Sequence, residues 1–388
     1  MSERVYLDHN ATTPIDPAVL AAMDPYLRTF YGNPSSVEHE DGHLAAAAVE
    51  LAREQTAECI GARPNEIVFT GSCTEADNLA IIGVAKAYPD KKHIITTSIE
   101  HPAVIESARA LETEGWRVTY LPVDEYGMID PSELERSITD ETSLVSIMAA
   151  NNEVGTLQPL ETIGAICLQR GVLFHSDLAQ TIAYVPVDVE KVGIHLASLS
   201  AHKTYGPKGV GALYVRSRKP RARIKPIILG GGQERSLRPG TLNTAGIVGM
   251  GEAFARASRL ATKDAARLSQ MCVEFRTKLL AEIPAAKLNG DPDRRLANNL
   301  SFSIEGIEPL ALMRRLRDRI SFSASSACAT DKVTTSHVLK AMFGDGLRAK
   351  GAFRLAPGRF TTKHQFEAAL GHLIAEIRLL KDISRPAA

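Results

Sequence analysis

Between residues 64 and 215, short apolar runs alternate with stretches whose apolar positions follow a helical period. Seven of the runs read as strands: EIVFT, HIITTS, RVTYLP, SLVSIMAA, VLFHS, LASLS and VGALYVR. Between them lie helical stretches such as TEADNLAIIGVAKAY, HPAVIESARALETEG and LETIGAICLQRG, the last stopped at Gly171. This alternation predicts an α/β domain built on a largely parallel sheet. Residues 244–283 carry one long helical pattern with few breakers, long enough to bridge two domains. Beyond it, NNLSFSIEG, ISFSASSACA and FRLAPG alternate with helical runs around 309–318 and 363–380, which predicts a smaller α+β domain.

Length agrees with that division, because 388 residues exceed a single compact core. Charge adds an exclusion: Lys+Arg equals Asp+Glu at 45 each, so no global charge implies nucleic acid or a membrane surface as a direct partner. The start, MSERVYLDHNATTP, lacks a secretory pattern, and no apolar run approaches the about twenty residues that span a bilayer. A cytoplasmic protein is expected. The five cysteines (Cys59, Cys73, Cys167, Cys272, Cys328) are scattered, odd in number and without CxxC pairs, favouring neither a disulfide framework nor a zinc site.

In open α/β sheets, ligands bind beyond the carboxyl ends of the strands, so the residues that follow each run carry the candidate chemistry. They are GSCTEADN, IEHPAV, NNEVG, SDLAQ and AHKTYG. Lys203, in SLSAHKTYGPKG, reads either as a surface-loop lysine or as a Schiff-base lysine aimed into a cleft. GSCTEADN reads either as a capped helix start, with Ser72 and Glu75 at capping-box spacing, or as a phosphate cup with hydroxyls at Ser72 and Thr74. Asp177 follows a buried strand, where an unpaired carboxylate is costly, so a cationic partner is expected; a protonated pyridine nitrogen would serve. His101 is either structural or a flat ring that stacks on an aromatic cofactor. With Ser200 and His202 reaching a phosphate beside Lys203, the parts describe a pyridoxal phosphate site.

Ordered along the chain, YLDHNATTP, GNPSS, EIVFTGSCTEADN, HIITTSIEHPAV, ANNEVG, HSDLAQ, SLSAHKTYGPKG, GGGQERSLRPGT, SSACAT and RLAPGRFTT resemble the NifS/IscS-type cysteine desulfurases. These are fold-type I pyridoxal-phosphate enzymes of the class V aminotransferase family. The resemblance implies a large cofactor-binding domain over 15–255 with a mostly parallel seven-stranded sheet. It also implies a smaller α+β domain from 1–14 and 256–388, carrying a catalytic cysteine loop at about 321–336. It implies a homodimer that takes sulfur from L-cysteine, releases L-alanine and passes a persulfide on Cys328 to an acceptor protein. By matched position, Lys203 forms the aldimine and carries protons, His101 stacks on the pyridine ring and assists, Asp177 pairs with its nitrogen, and Gln180 meets its phenolic oxygen. Thr74, Ser200 and His202 match phosphate ligands, with Cys73 in the same loop. Thr241 matches a phosphate ligand donated across the dimer interface, and Asn152 and Arg354 match the residues that hold the substrate amino acid. Arginine suits that task because its planar fork binds a carboxylate bidentately.

Departures accompany the match. The cysteine loop reads SASSACAT, with Ser325 where the family has glycine and Ala329 after the cysteine, and Asp41 stands where an aromatic residue is common. Cys328 on bulk properties alone is a small buried hydrophobe; its polar flanks and its family position point to catalysis. The basic stretch RSRKPRARIKP, 216–226, reads as a solvated charged face or as a docking surface for a sulfur acceptor. Iron–sulfur cluster assembly, tRNA thiolation and DNA phosphorothioation are the destinations served by enzymes of this class. A selenocysteine lyase or another fold-type I enzyme, and a non-catalytic sulfur-transfer scaffold, are the alternative functions.

Overall fold

A computed structural model describes residues 4–324 and 335–383. All seven predicted strands form, as Ile67–Thr70, His93–Thr97, Arg117–Leu121, Thr142–Ser146, Leu173–Asp177, Leu196–Ser200 and Gly211–Val215; six lie within a residue of their expected ends, and the fourth stops at Ser146, four residues before the end of SLVSIMAA. They make one seven-stranded sheet, ordered across the sheet as 67–70, 211–215, 196–200, 173–177, 142–146, 93–97 and 117–121. Only 211–215 runs antiparallel to its two neighbours; the other pairings are parallel. The central strands are buried along their whole length, as expected of strands covered by helices on both faces. The chain leaves the edge strand Ile67–Thr70 through the helix Cys73–Ala87, which crosses the sheet before the chain re-enters at His93. That crossing brings the helix start to the carboxyl ends of the central strands, where ligands of such sheets bind.

A second sheet is antiparallel, ordered Ser323–Ala324, Ala352–Leu355, Leu300–Ile304 and Ala286–Asn289. The first residues of the chain belong with it: Val5–Tyr6 pairs with Ile320–Ser321, and Val5 and Leu7 join an apolar core of Phe275, Phe302, Phe353 and Phe366. The helix Thr244–Glu282 spans both cores. Its first half packs Ile247, Met250 and Phe254 against the large sheet, and its second half packs Leu268, Met271 and Phe275 against the small one. Among the described residues no helix is long and apolar enough to cross a membrane.

The helix Leu160–Arg170 stops at Gly171, which has φ 65°, the left-handed cap that glycine adopts most cheaply. Within that helix, Gly164 touches the turn Val189–Val192 so closely that an added Cβ would lie 1.7 Å from the Val192 carbonyl oxygen. Gly164→Ala is therefore expected to cost about 1–3 kcal/mol, as overpacking usually does. The urea midpoint measures it, and a wild-type midpoint would show that the two elements separate freely.

Candidate active site

The turn that carries Lys203 is fixed by residues from the start of the chain. Strand Leu196–Ser200 ends at the cavity, and Lys203 Nζ donates to the Asn10 carbonyl at 2.7 Å. The amide and hydroxyl of Thr13 both donate to the His202 carbonyl, and the Tyr205 amide donates to the Thr13 hydroxyl. Tyr205 itself has φ 64°, unusual for a bulky residue. Its ring is completely buried, its hydroxyl bonds Tyr184 at 2.6 Å, and the Arg359 guanidinium lies 4.4 Å from the ring centre. Lys203 is thus held two residues from a backbone position that the surroundings enforce.

GSCTEADN is a capped helix start whose first residues also line the cavity. The Ser72 hydroxyl accepts from the Glu75 amide, and the Glu75 carboxylate accepts from the Gly71 amide. Ser72, Cys73 and Thr74 face the cavity. Strand 211–215 approaches from behind: a Cβ on Gly211 would come within 2.6 Å of the Ser72 backbone, so the close approach requires glycine.

A cavity of about 90 Å³ opens at the carboxyl ends of the parallel strands. It brings together Thr74, Cys73, His101, Asn152, Asp177, Gln180, Ser200, His202 and Lys203. Asp177 ends its strand, and its Oδ1 accepts from the Ala179 amide at 2.8 Å and the Cys73 thiol at 3.6 Å. Gln180 exchanges two hydrogen bonds with Asn10, one from each side chain. His101 caps the helix Pro102–Thr113 by accepting the Ala103 amide on Nδ1, which leaves Nε2 for a proton.

Electrostatics follow burial. Burial, with help from Lys203 and His337, holds the His101 pKa below its ordinary value against the pull of Asp177. Burial, Lys203 and Lys208 take His202 down to about 4. Burial and the neighbouring Asp177 carboxylate push the Cys73 thiol well up, which keeps it protonated. Burial likewise raises Cys59 to about 11 and Cys167 and Cys272 to about 12, as inert packing cysteines.

Two predicted residues stand outside this cavity lining. Arg354 is buried on the second sheet, donating from one terminal nitrogen to Asp8 Oδ1 and from the other to the Asn152 carbonyl, both at 2.7 Å. Thr241 is exposed on its own chain. Cys328 and Ser325 lie outside the described residues. Sequence reasoning missed Asn10, whose role is largely that of a backbone carbonyl, and Asp77, which lines the cavity with both carboxylate oxygens lacking a hydrogen-bond partner among the described residues. Asp77 had a legible signal: it stands four residues after Cys73, on the same helix face. The donor set fits pyridoxal phosphate, offering an amine for an aldehyde, a carboxylate for a pyridine nitrogen, and hydroxyls at a helix start for a phosphate. The Ser200 hydroxyl, buried at the cavity and without a hydrogen-bond partner among the described residues, is one such group.

Residues 5–363 match the family aminotransferase class-V. The chain is 47% identical to the cysteine desulfurase IscS of Rickettsia bellii (strain OSU 85-389) over 381 residues, 98% of this chain and 92% of the relative. A solved structure described as a NifS-like protein superposes with a TM-score of 0.90 at 38% identity, covering 97% of this chain and all of that one. The structure of SspA in complex with cysteine does so with a TM-score of 0.81 at 36% identity, covering 92% of this chain and all of that one.

Glu100, just before His101, supplies a pH test. Its carboxylate accepts from the Thr97 hydroxyl and the Met148 amide, yet burial dominates and pushes its pKa up to about 8. Below about 4.5 both folded and unfolded chains hold this proton; between about 4.5 and about 8 only the folded chain does. Its contribution to stability is therefore full below that window and is lost as pH rises through it, with a slope of ~1.4 kcal/mol per pH unit. Glu100→Gln should flatten the urea-midpoint curve over that range; parallel curves would mean that the carboxyl is ionised throughout.

Proposed function

The chain belongs to the aminotransferase class-V family and, within it, to the cysteine desulfurases, and from that premise we propose that Lys203 bonds the aldehyde of pyridoxal phosphate while Asp177 faces its ring nitrogen. The observation that carries the reading is the convergence of Lys203, Asp177, His101, Ser200 and His202 on one cavity. Bound there, the cofactor supplies an electron sink that lets bonds at the substrate's α- and β-carbons be remade. Ser200, His202, Thr74 and the first amides of helix Cys73–Ala87 hold the phosphate, and Gln180 the phenolic oxygen. His101, neutral and pinned through Nδ1, packs on the ring and holds or passes a proton at Nε2. The Lys203 amine would also be placed to move protons between substrate carbons. Arg354 and Asn152 hold the carboxylate of L-cysteine.

Cys328 then acts as the nucleophile. Its thiolate attacks the substrate sulfur; the new S–S bond forms as the carbon–sulfur bond breaks, alanine leaves, and the persulfide passes to an acceptor protein. A thiol of ordinary pKa about 8.5 is only slightly ionised at neutral pH, so the site must supply a base or lower that value. Of the destinations for the sulfur we favour iron–sulfur cluster assembly, because relatives named IscS match almost the whole chain at 46–47% identity. We take the working unit to be a homodimer, a reading supported by Thr241, which is exposed on its own chain and outside the lining of its own cavity.

The basic segment divides in two. Arg216 and Arg218 are committed to Glu190, Arg218 also to Glu66. Lys219, Arg221, Arg223 and Lys225 are exposed, and we assign acceptor docking to these four.

Wild type and Cys328→Ala should both show the visible band of the lysine-bound cofactor, while only wild type releases sulfide from L-cysteine with a reductant present. A mutant of equal activity would remove Cys328 from the chemistry and favour a lyase; a wild type that stays colourless with added cofactor would favour a scaffold. Reversing the charges at Arg221 and Arg223 should cut sulfur delivery to an acceptor protein about tenfold without slowing alanine release, the pattern of lost electrostatic steering. Equal loss of both products would place the defect in the fold instead.

A further inference from the structure

Glu234, Arg235 and Ser236 lie consecutively in the left-handed region, at φ 46°, 58° and 62°. Each is disfavoured there by crowding between Cβ and the backbone, so such a run persists only where its surroundings impose it. The surroundings are specific. Arg53 donates from its two terminal nitrogens to Glu234 Oε2 at 2.8 Å and Oε1 at 2.7 Å, and the Phe69 amide donates to Oε2 at 2.7 Å. Arg53 and Arg235 both reach the Ile67 carbonyl at 3.0 Å, and the Arg53 guanidinium lies 4.7 Å from the centre of the Phe69 ring. The side chains of Arg53 and Glu234 are 8% and 2% exposed. Past the left-handed run, Arg238 donates to Glu75, in the first turn of the helix that lines the cavity, and the Gly240 amide donates to Gln233 Oε1. Thr241 follows at once.

A buried ion pair gains little stability over apolar packing of the same size, so its value here lies in direction. We propose that Arg53 and Glu234 form a latch that holds residues 234–236 left-handed against strand Ile67–Thr70 and thereby sets the path of the segment that presents Thr241 to a second copy of the chain. Both are positioning residues that touch neither substrate nor cofactor. The use made of Thr241 rests on the dimer reading given above; the latch itself does not.

The test uses the cofactor-loaded protein. Glu234→Gln keeps the size of the side chain but loses one acceptor oxygen and the charge. It should raise the dimer dissociation constant and the rate of cofactor release about tenfold, the factor that ~1.4 kcal/mol represents. Ser236→Gly removes the Cβ from the third left-handed residue, and in the Glu234→Gln background it should return both quantities to within about threefold of wild type. Amide exchange over residues 233–241 on the same samples should quicken in the single variant and slow again in the double. Unchanged exchange in Glu234→Gln, or a double variant no better protected than the single, overturns the latch. Exchange that responds as stated, with dimer and cofactor constants unmoved, upholds the latch and overturns the assignment of Thr241 to a second chain.

Discussion

An amine turned into a protein interior needs an acceptor, and for Lys203 the Asn10 carbonyl is the one at hand. That contact holds the first residues of the chain against the lysine turn, where Thr13 and Asp16 bond the backbone of His202 and Tyr205. Asp16 in turn accepts from Arg256 of the long helix and from Arg359, which also bonds Asp264 and covers the Tyr205 ring. These charged side chains are mostly buried, and removing one partner from such a group typically costs about 3–5 kcal/mol. The lysine turn, the chain start and the second core are therefore mutually dependent.

Burial also sorts the protons of the cavity. It drives Asp77 and Glu100 toward their acid forms and His101, His202 and His175 toward neutral rings. His175 and Asp77 are 3.7 Å apart, which by distance alone is an ion pair. The pairing is better described as neutral. Both groups are almost completely inaccessible, burial takes His175 down to about 3, and its ring nitrogens already bond Ser146 and Ser198. Asp77 also faces Asp177, whose charge opposes its ionisation. Asp177, by contrast, accepts hydrogen bonds from the Ala179 amide and the Cys73 thiol.

The sheet was legible because each strand is a short apolar run ended by polar residues; VLFH followed by SDLAQ locates Asp177 almost to the residue. The same pattern brought nine named residues to one cavity. What the sequence concealed is tertiary. The Asn10 carbonyl has no side-chain signature. The left-handed run at Glu234 contains no glycine, and the arginine that stabilises it lies 181 positions away. The basic segment looked uniform, yet Arg216 and Arg218 are absorbed by Glu190 and Glu66, acids that no local pattern connects to them.

Arg354 shows how the two cores meet. It stands on a strand of the second sheet, donates to Asp8 from the chain start, and donates to the Asn152 carbonyl from the loop beyond the large sheet. Asp8 uses its other oxygen to accept the Ser323 hydroxyl, and Glu153, whose carboxyl also feels the Arg354 charge, accepts the Ser336 hydroxyl. Ser323 and Ser336 flank residues 325–334, which include Cys328. Arg354, Asp8 and Ser323 are thus joined by hydrogen bonds, while Glu153 and Ser336 are linked to Arg354 through its charge alone.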